Sequence, residues 1–165
     1  MNFDGIDNIK AAGFKGFKTI SELWCDTSEI PDMKGVYLVL TPSIEQPKFI
    51  FPGVGGFFKD KNPNKPTDEL KMNWVDNSNV IYIGKAGSLN GQATLKKRIK
   101  QYLRFGQGKK VGHWGGRFIW QLSNHEELMF CWKEIPNQDP RVVERELISS
   151  YLKQFGCRPF ANLSG

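Results

Sequence analysis

The chain has 165 residues, of which 39% are hydrophobic and 13% aromatic, which suits one domain over residues 1–165 and is too short for two cores. Lys and Arg exceed Asp and Glu by 23 to 17, and the resulting charge of +6 favours a polyanionic partner. No apolar run approaches the roughly 18 residues that span a membrane, and none follows the acidic Asp4 and Asp7. We therefore expect a soluble, cytoplasmic protein without a membrane partner.

The cysteines and histidines do not suggest a metal cage or a disulfide framework. Cys25, Cys131 and Cys157 are odd in number and widely spaced, without a C-x-x-C pair, so we expect reduced thiols in the core. His113 and His125 are the only histidines and have no neighbouring cysteine ligand. A metal site built on both histidines is not expected.

Residues 1–34 are interpreted as an N-terminal appendage that contains one short helix. Thr19 and Glu22 have the spacing of a capping box at the start of that helix. The first predicted strand is the continuous apolar run at residues 36–40, which a glycine precedes and a Thr-Pro pair ends.

Residues 43–78 have a weaker pattern and are interpreted as a mobile insertion. The segment KFIFP at residues 48–52 is a candidate strand of low periodicity. The GVGG run at residues 53–56 resembles a phosphate-binding loop only superficially, because the Gly-Lys-Ser/Thr ending of that motif is missing.

Residues 80–102 predict a buried strand, a glycine turn and a basic amphipathic helix. The strand ends at Gly84, and Lys85 follows at its open end. In the helix predicted over residues 95–104, Arg98 projects at the edge of the buried stripe, where a guanidinium needs an anionic partner. That partner is either a carboxylate in a structural ion pair or the phosphate of a ligand.

An acid-free block extends from Tyr82 to His125 and contains nine basic residues. A solvated basic face is the simplest explanation, but a block of this length is more typical of a surface that faces nucleic acid. Six of these residues are predicted phosphate contacts: Lys96, Lys97, Lys100, Lys109, Lys110 and Arg117.

Two further strands and a final helix complete the prediction. The strands are expected at residues 118–122 and 128–135, and the helix at residues 141–155. Helical phasing places Glu144 inside the apolar arc of that helix and points Glu146 away from it. A carboxylate on a packed face is costly unless it is paired or bound to a cation, and both alternatives remain open for Glu144.

Six elements in order resemble the signature of the GIY-YIG nuclease family. They are GVY at residues 35–37, YIG at residues 82–84, Arg98, Tyr102, Glu144 and Asn162. The form V-I-Y-I-G-K-A is similar to that of the N-terminal incision domain of the bacterial excision-repair nuclease. Two features depart from the family pattern: the tyrosine-bearing strands lie about forty residues apart, and the loop after Gly84 is several residues longer.

The resemblance implies an α+β fold in which helices flank a small, mainly antiparallel central sheet. It also implies a DNA endonuclease that depends on Mg²⁺ or Mn²⁺. The implied catalytic residues are Tyr37, Tyr82, Lys85, Arg98, Tyr102, Glu144 and Asn162.

Each of these residues has an expected role. Glu144 would hold the divalent cation, and Arg98 would bind a phosphate. Either tyrosine of the two strands would accept the proton of the attacking water, and Lys85 would stabilise its phenolate. Tyr102 would hydrogen-bond the nucleophile or a phosphate, and Asn162 would fix the geometry of its neighbours.

Two other interpretations remain open. The chain is alternatively a nucleic-acid-binding module on the same fold that does not cut, or one that needs a partner. One such site makes one nick, so a double-strand break would require a dimer or two successive events.

Overall fold

A four-stranded antiparallel sheet forms the centre of the computed structural model, which describes residues 1–163. The strands lie in the order β1-β4-β2-β3, and every neighbouring pair is antiparallel. They are β1 (Lys15–Thr19), β2 (Gly35–Leu40), β3 (Val80–Ala86) and β4 (Met129–Glu134). The α+β fold class with a mainly antiparallel sheet is confirmed.

Five α-helices accompany the sheet: α1 (Gly5–Ala11), α2 (Ile20–Cys25), α3 (Thr67–Asn73), α4 (Leu95–Gly106) and α5 (Pro140–Phe155). Helix α2 begins with the predicted capping box, in which the Thr19 hydroxyl accepts from the Glu22 amide and the Glu22 carboxylate accepts from the Thr19 amide. The two predicted C-terminal helices, α4 and α5, are confirmed. None of the helices in residues 1–163 is long and apolar enough to cross a bilayer.

Strand β2 is buried along its whole length because side chains from both faces enter a core. Tyr37 and Val39 point into one core, which α2 and α4 complete, and Val36 and Leu38 point into the other, which α1 and α5 complete. Helices α4 and α5 therefore lie on opposite faces of the sheet. Their side chains can meet only at an end or an edge of the sheet.

The first 34 residues are an integral part of the fold, which corrects the prediction of an appendage. Strand β1 pairs with β4, and Phe3, Ile9 and Ile20 are fully buried. The sequence did not reveal β1 because Gly16 and Phe17 have positive φ angles and form a bulge, which interrupts the alternation expected of a strand.

The strand predicted at residues 118–122 is wrong, because the structure has a 3₁₀ helix at Arg117–Gln121 instead. A short apolar run that is buried on all sides cannot be assigned to strand or helix from periodicity alone. The candidate strand at residues 48–52 is reduced to a single bridge between Phe49 and Leu122.

The segment predicted to be a mobile insertion is packed against the rest of the fold. Gln121 is buried and accepts from the Lys65 amide at 2.8 Å, while its side-chain amide donates to the Ile50 carbonyl at 3.1 Å. The amide of Gly56 donates to the Phe105 carbonyl at 2.9 Å. These contacts hold the segment against the 3₁₀ helix and the end of α4.

The thiols follow the prediction only in part. All three cysteines are free, but only Cys131 is buried, and Cys25 and Cys157 are exposed. Burial raises the pKa of the Cys131 thiol, which keeps it protonated and inert.

Candidate active site

A pocket of about 300 Å³ lies where the end of β3 meets α4 and α5. Five of the seven predicted catalytic residues line it: Tyr37, Tyr82, Lys85, Arg98 and Glu144. Because α4 and α5 cover opposite faces of the sheet, the pocket forms only at this end, where side chains from both layers reach one space. The fold thus brings together residues that are as much as 107 positions apart in the sequence.

The two tyrosines are held side by side by neighbouring strands. Tyr37 of β2 lies opposite Gly84 of β3 in the register, and the ring centroids of Tyr37 and Tyr82 are 6.0 Å apart. A Cβ atom at Gly84 would lie 2.6 Å from Cζ of Tyr37 and 2.7 Å from Cε1 of Tyr82. A glycine is needed here because the Tyr37 ring occupies the space of its side chain.

We expect Gly84→Ala to destabilise the protein by about 1–3 kcal/mol, the usual cost of overpacking a buried site. Both rings are buried, and both also pack against the ring of Tyr102, with centroids 6.4 Å and 5.4 Å away. Denaturant unfolding measures the effect, with Gly115→Ala as the matched control, since a Cβ there meets only the Tyr82 hydroxyl at an ordinary 3.7 Å. Equal stability of the two variants would contradict the packing role of Gly84.

His113 is a functional candidate that the sequence analysis considered only as a metal ligand. Its Nε2 lies 2.9 Å from the Tyr37 hydroxyl, and its ring stacks on Tyr102 with centroids 3.6 Å apart and planes 6° apart. The side chain is fully buried, and this burial lowers the pKa of His113 well below its usual value, so the imidazole is neutral. A lone histidine in a basic, glycine-rich turn was the only signal in the sequence.

The surroundings of His113 indicate which of its nitrogens carries the proton. Within residues 1–163, Nδ1 is buried and has no hydrogen-bond partner. A buried N–H group without an acceptor is rarer than an acceptor without a donor, so the proton belongs on Nε2. His113 then donates to the Tyr37 oxygen, and the Tyr37 hydroxyl is free to donate to the neighbouring Tyr82 oxygen.

The two phenols differ in burial and in acidity. Tyr37 is 1% exposed, and burial raises its pKa well above the usual value. Tyr82 is 8% exposed; burial raises its pKa to about 12, while the positive charge of Arg98 and the hydrogen bond from Tyr37 act in the opposite direction. Tyr82 is therefore the more accessible and the more acidic of the pair.

Arg98 is held in place by its own helix and the loop that carries His113. Its Nη1 donates to Gln101 Oε1 at 2.7 Å and to the Gly112 carbonyl at 3.1 Å. Among residues 1–163 no carboxylate lies within 4.0 Å of its guanidinium, so Arg98 and Glu144 share the pocket without forming an ion pair. This arrangement contradicts the structural ion-pair alternative for both residues.

Glu144 is half-buried at the wall of the pocket. Burial raises the pKa of its carboxyl group, and the positive charges of Lys85, Arg141, Arg145 and Arg98 partly offset this effect. Lys85, which was predicted to stabilise a phenolate, donates instead to the Gly87 carbonyl at 3.2 Å, and its charge acts on Glu144. The cation that lowers the pKa of Tyr82 is Arg98.

The other two predicted residues support the pocket from outside. Tyr102 is fully buried and its hydroxyl donates to the Gly116 carbonyl, so the expected contact with a nucleophile or a phosphate is wrong for this geometry. Asn162 bridges the free edge of β3, since its oxygen accepts from the Ile83 amide at 2.9 Å and its nitrogen donates to the Ile83 carbonyl at 2.8 Å. Asn162 thus fixes its neighbours through backbone hydrogen bonds.

The predicted phosphate contacts do not share one surface. Lys96 and Lys100 lie on the α2 side of α4. Hydrogen bonds from Ser28 lower the pKa of Asp26 there, with a smaller contribution from the charge of Lys96, and Lys100 lines a separate pocket with Trp24. Lys97 and Lys109 are exposed. The other two residues are already engaged: Lys110 pairs with Asp60 at 3.7 Å, and Arg117 stacks over Trp114 at 4.3 Å.

The donor set at the pocket suits a hard cation that keeps most of its water. No group of three or more His, Cys, Asp and Glu residues gathers in the described part of the chain. Glu144 is the one carboxylate in the pocket wall, and a single carboxylate beside room for water is a common arrangement for Mg²⁺.

Comparison with protein families, with curated proteins and with solved structures found no match for this chain.

Proposed function

We propose that this protein is a divalent-metal-dependent endonuclease of the GIY-YIG type that hydrolyses DNA phosphodiester bonds. One observation supports the proposal above the others: two adjacent phenols, a guanidinium and a carboxylate from four different elements line a single pocket, and the two charged groups are not paired with each other. Such unpaired charges in one pocket favour a ligand that bears both phosphate and metal.

Arg98 is suited to bind the scissile phosphate. Only its Nη1 makes hydrogen bonds within residues 1–163, which leaves three of the five N–H groups of a guanidinium for a ligand. The contacts to Gln101 and Gly112 hold the planar group in one orientation, so binding a phosphate costs little side-chain entropy. Its charge at the phosphate would stabilise the transition state.

Tyr82 is the residue that we assign as general base. In the hydrogen-bond chain from His113 through Tyr37 to Tyr82, the Tyr37 oxygen accepts from His113 and its hydroxyl donates to Tyr82, and only 1% of Tyr37 is exposed to water. Tyr82 Oη would accept the proton of the attacking water, and the Tyr37 hydroxyl and the Arg98 charge would stabilise the phenolate. We thus assign the role of base to Tyr82, where the sequence left both tyrosines open.

Glu144 would hold Mg²⁺ or Mn²⁺ through one carboxylate oxygen. When bound, the ion would polarise the phosphoryl oxygen and lower the pKa of coordinated water. Glu144 lies in the pocket wall, where without a cation its negative charge would repel the phosphate of the substrate. This is the chemical reason to expect a metal requirement.

The test is incubation of the purified protein with supercoiled plasmid and with duplex, branched and single-stranded oligonucleotides in Mg²⁺. We expect nicked products, and we expect EDTA to abolish them because without a cation the Glu144 carboxylate would repel the phosphate. Cleavage that persists in EDTA would contradict the metal role. Binding to every substrate without cleavage would instead favour the non-catalytic binding module.

A further inference from the structure

Two arginines of α5, Arg141 and Arg145, flank Glu144 at the rim of the pocket. At about 100° per residue the three side chains fall within one side of the helix. Both arginines are exposed, and within the described residues neither lies within 4.0 Å of a carboxylate. Arg141 precedes Glu144 by three residues and Arg145 directly follows it; burial raises the pKa of Glu144, and the positive charges of both arginines act against this rise.

The opposite flank of α5 has a different environment. Val143 and Glu146 face a separate pocket that also includes Phe14 and Lys133. Asp139, at the helix start, is already occupied as the N-cap, where its carboxylate accepts from the Arg141 amide at 2.9 Å. Among the residues of α5, the flank beside Glu144 therefore carries two exposed arginines and no carboxylate other than Glu144.

The predicted basic face of α4 does not serve the pocket in the same way. Lys96 and Lys100 lie beside Asp26 and Trp24 on the α2 side, away from the pocket residues. Arg141 and Arg145 of α5 thus add exposed positive charge beside Glu144, outside the acid-free block at residues 82–125.

We infer that Arg141 and Arg145 form a phosphate-binding strip on α5 that holds the DNA backbone next to the scissile phosphate. The inference rests on the proposed nuclease function and assigns the substrate-binding surface of that site. A phosphodiester held by Arg98 continues into neighbouring phosphates at the spacing of the backbone, and the α5 flank is an exposed cationic surface next to Glu144. Arginine suits this role because its planar fork binds a phosphate with two donors.

The binding test compares two double variants that remove the same charge. Arg141→Gln with Arg145→Gln alters the strip, and Lys96→Gln with Lys100→Gln alters the α2 side of α4; each pair lowers the net charge of +6 by the same two units. Fluorescence anisotropy with a labelled duplex in EDTA, over a series of KCl concentrations, reports affinity and its salt dependence without cleavage. Thermal unfolding confirms that both variants are folded.

We expect the arginine pair to reduce the slope of log affinity against log salt by about 2, since each lost phosphate contact contributes about 0.9. We expect the lysine pair to change the slope by less than about 0.5, because those side chains do not contact the DNA. Equal slopes for the two variants, or an unchanged slope for the arginine pair, would overturn the inference. If either of these results is found and the wild-type protein cuts DNA, the proposed nuclease function stands without the strip. If the wild-type protein neither binds nor cuts DNA, the strip and the nuclease function are both contradicted.

Discussion

Glu144→Gln is expected to reduce plasmid cleavage by at least about 10³-fold, which corresponds to about 4 kcal/mol of lost transition-state stabilisation. The amide keeps the size of the side chain but removes the negative charge that holds the cation. Rates of nicking under single-turnover conditions, over a series of Mg²⁺ concentrations, measure the effect. Higher Mg²⁺ is not expected to restore the rate, because the missing ligand is the carboxylate itself.

The free energy of unfolding of Glu144→Gln distinguishes a metal-binding role of Glu144 from a structural role. Burial already raises the pKa of Glu144, so a neutral group at that position is expected to leave the free energy of unfolding unchanged or slightly higher. A residue needed for an ion pair would behave oppositely, because its loss would leave a cation unpaired. Glu146→Gln, on the other flank of the same helix, is the matched control and should cleave like the wild type.

Retention of more than a tenth of the wild-type cleavage rate by Glu144→Gln would remove the proposed metal site. The same result together with a large loss of stability would assign Glu144 to the fold alone.

Tyr82→Phe is expected to lower the cleavage rate by about 10²–10⁴-fold, the usual contribution of a general base. The substitution removes the only pocket oxygen assigned to accept the proton and leaves the aromatic packing against Tyr37 and Tyr102 intact. Single-turnover rates across a range of pH values measure both the size of the effect and its origin.

The cleavage rates of the wild-type protein and of Tyr82→Phe are expected to depend differently on pH. The pKa of Tyr82 is about 12, so the phenolate fraction increases tenfold per pH unit throughout the neutral and mildly alkaline range. The wild-type rate should therefore rise with pH while chemistry is limiting, and the rise should be absent in Tyr82→Phe. The acid side should fall as Glu144, whose pKa burial raises, becomes protonated.

Tyr37→Phe provides the comparison that identifies the base. It leaves the buried His113 Nε2 without a partner, so we expect a loss of stability of about 1–3 kcal/mol. Its rate should fall by less than that of Tyr82→Phe, and the rise with pH should remain. The reverse pattern, with the pH dependence lost only in Tyr37→Phe, would transfer the role of base to Tyr37.

Much of the fold could be predicted because several elements have a pattern that is complete within themselves. Strands β2 and β3 are continuous apolar runs bounded by glycine, and α4 shows a helical stripe. The strand β1 and the 3₁₀ helix at Arg117–Gln121 were not predicted, because neither has a complete pattern within its own residues. A bulge with positive φ and a fully buried short segment both erase the periodicity on which such predictions depend.

For the candidate site, the sequence by itself determined which side chains are unusual within their own elements: Glu144 on a packed face, Arg98 at the edge of a stripe, and a tyrosine on each of two neighbouring strands. Only the tertiary structure decided that Arg98 and Glu144 share a pocket without pairing, and that His113 holds Tyr37. The tertiary structure also leaves Arg141 and Arg145 of α5 exposed beside Glu144. The physical reason is that periodicity records the face of one element, whereas a contact between elements depends on how buried surfaces pack across the sheet.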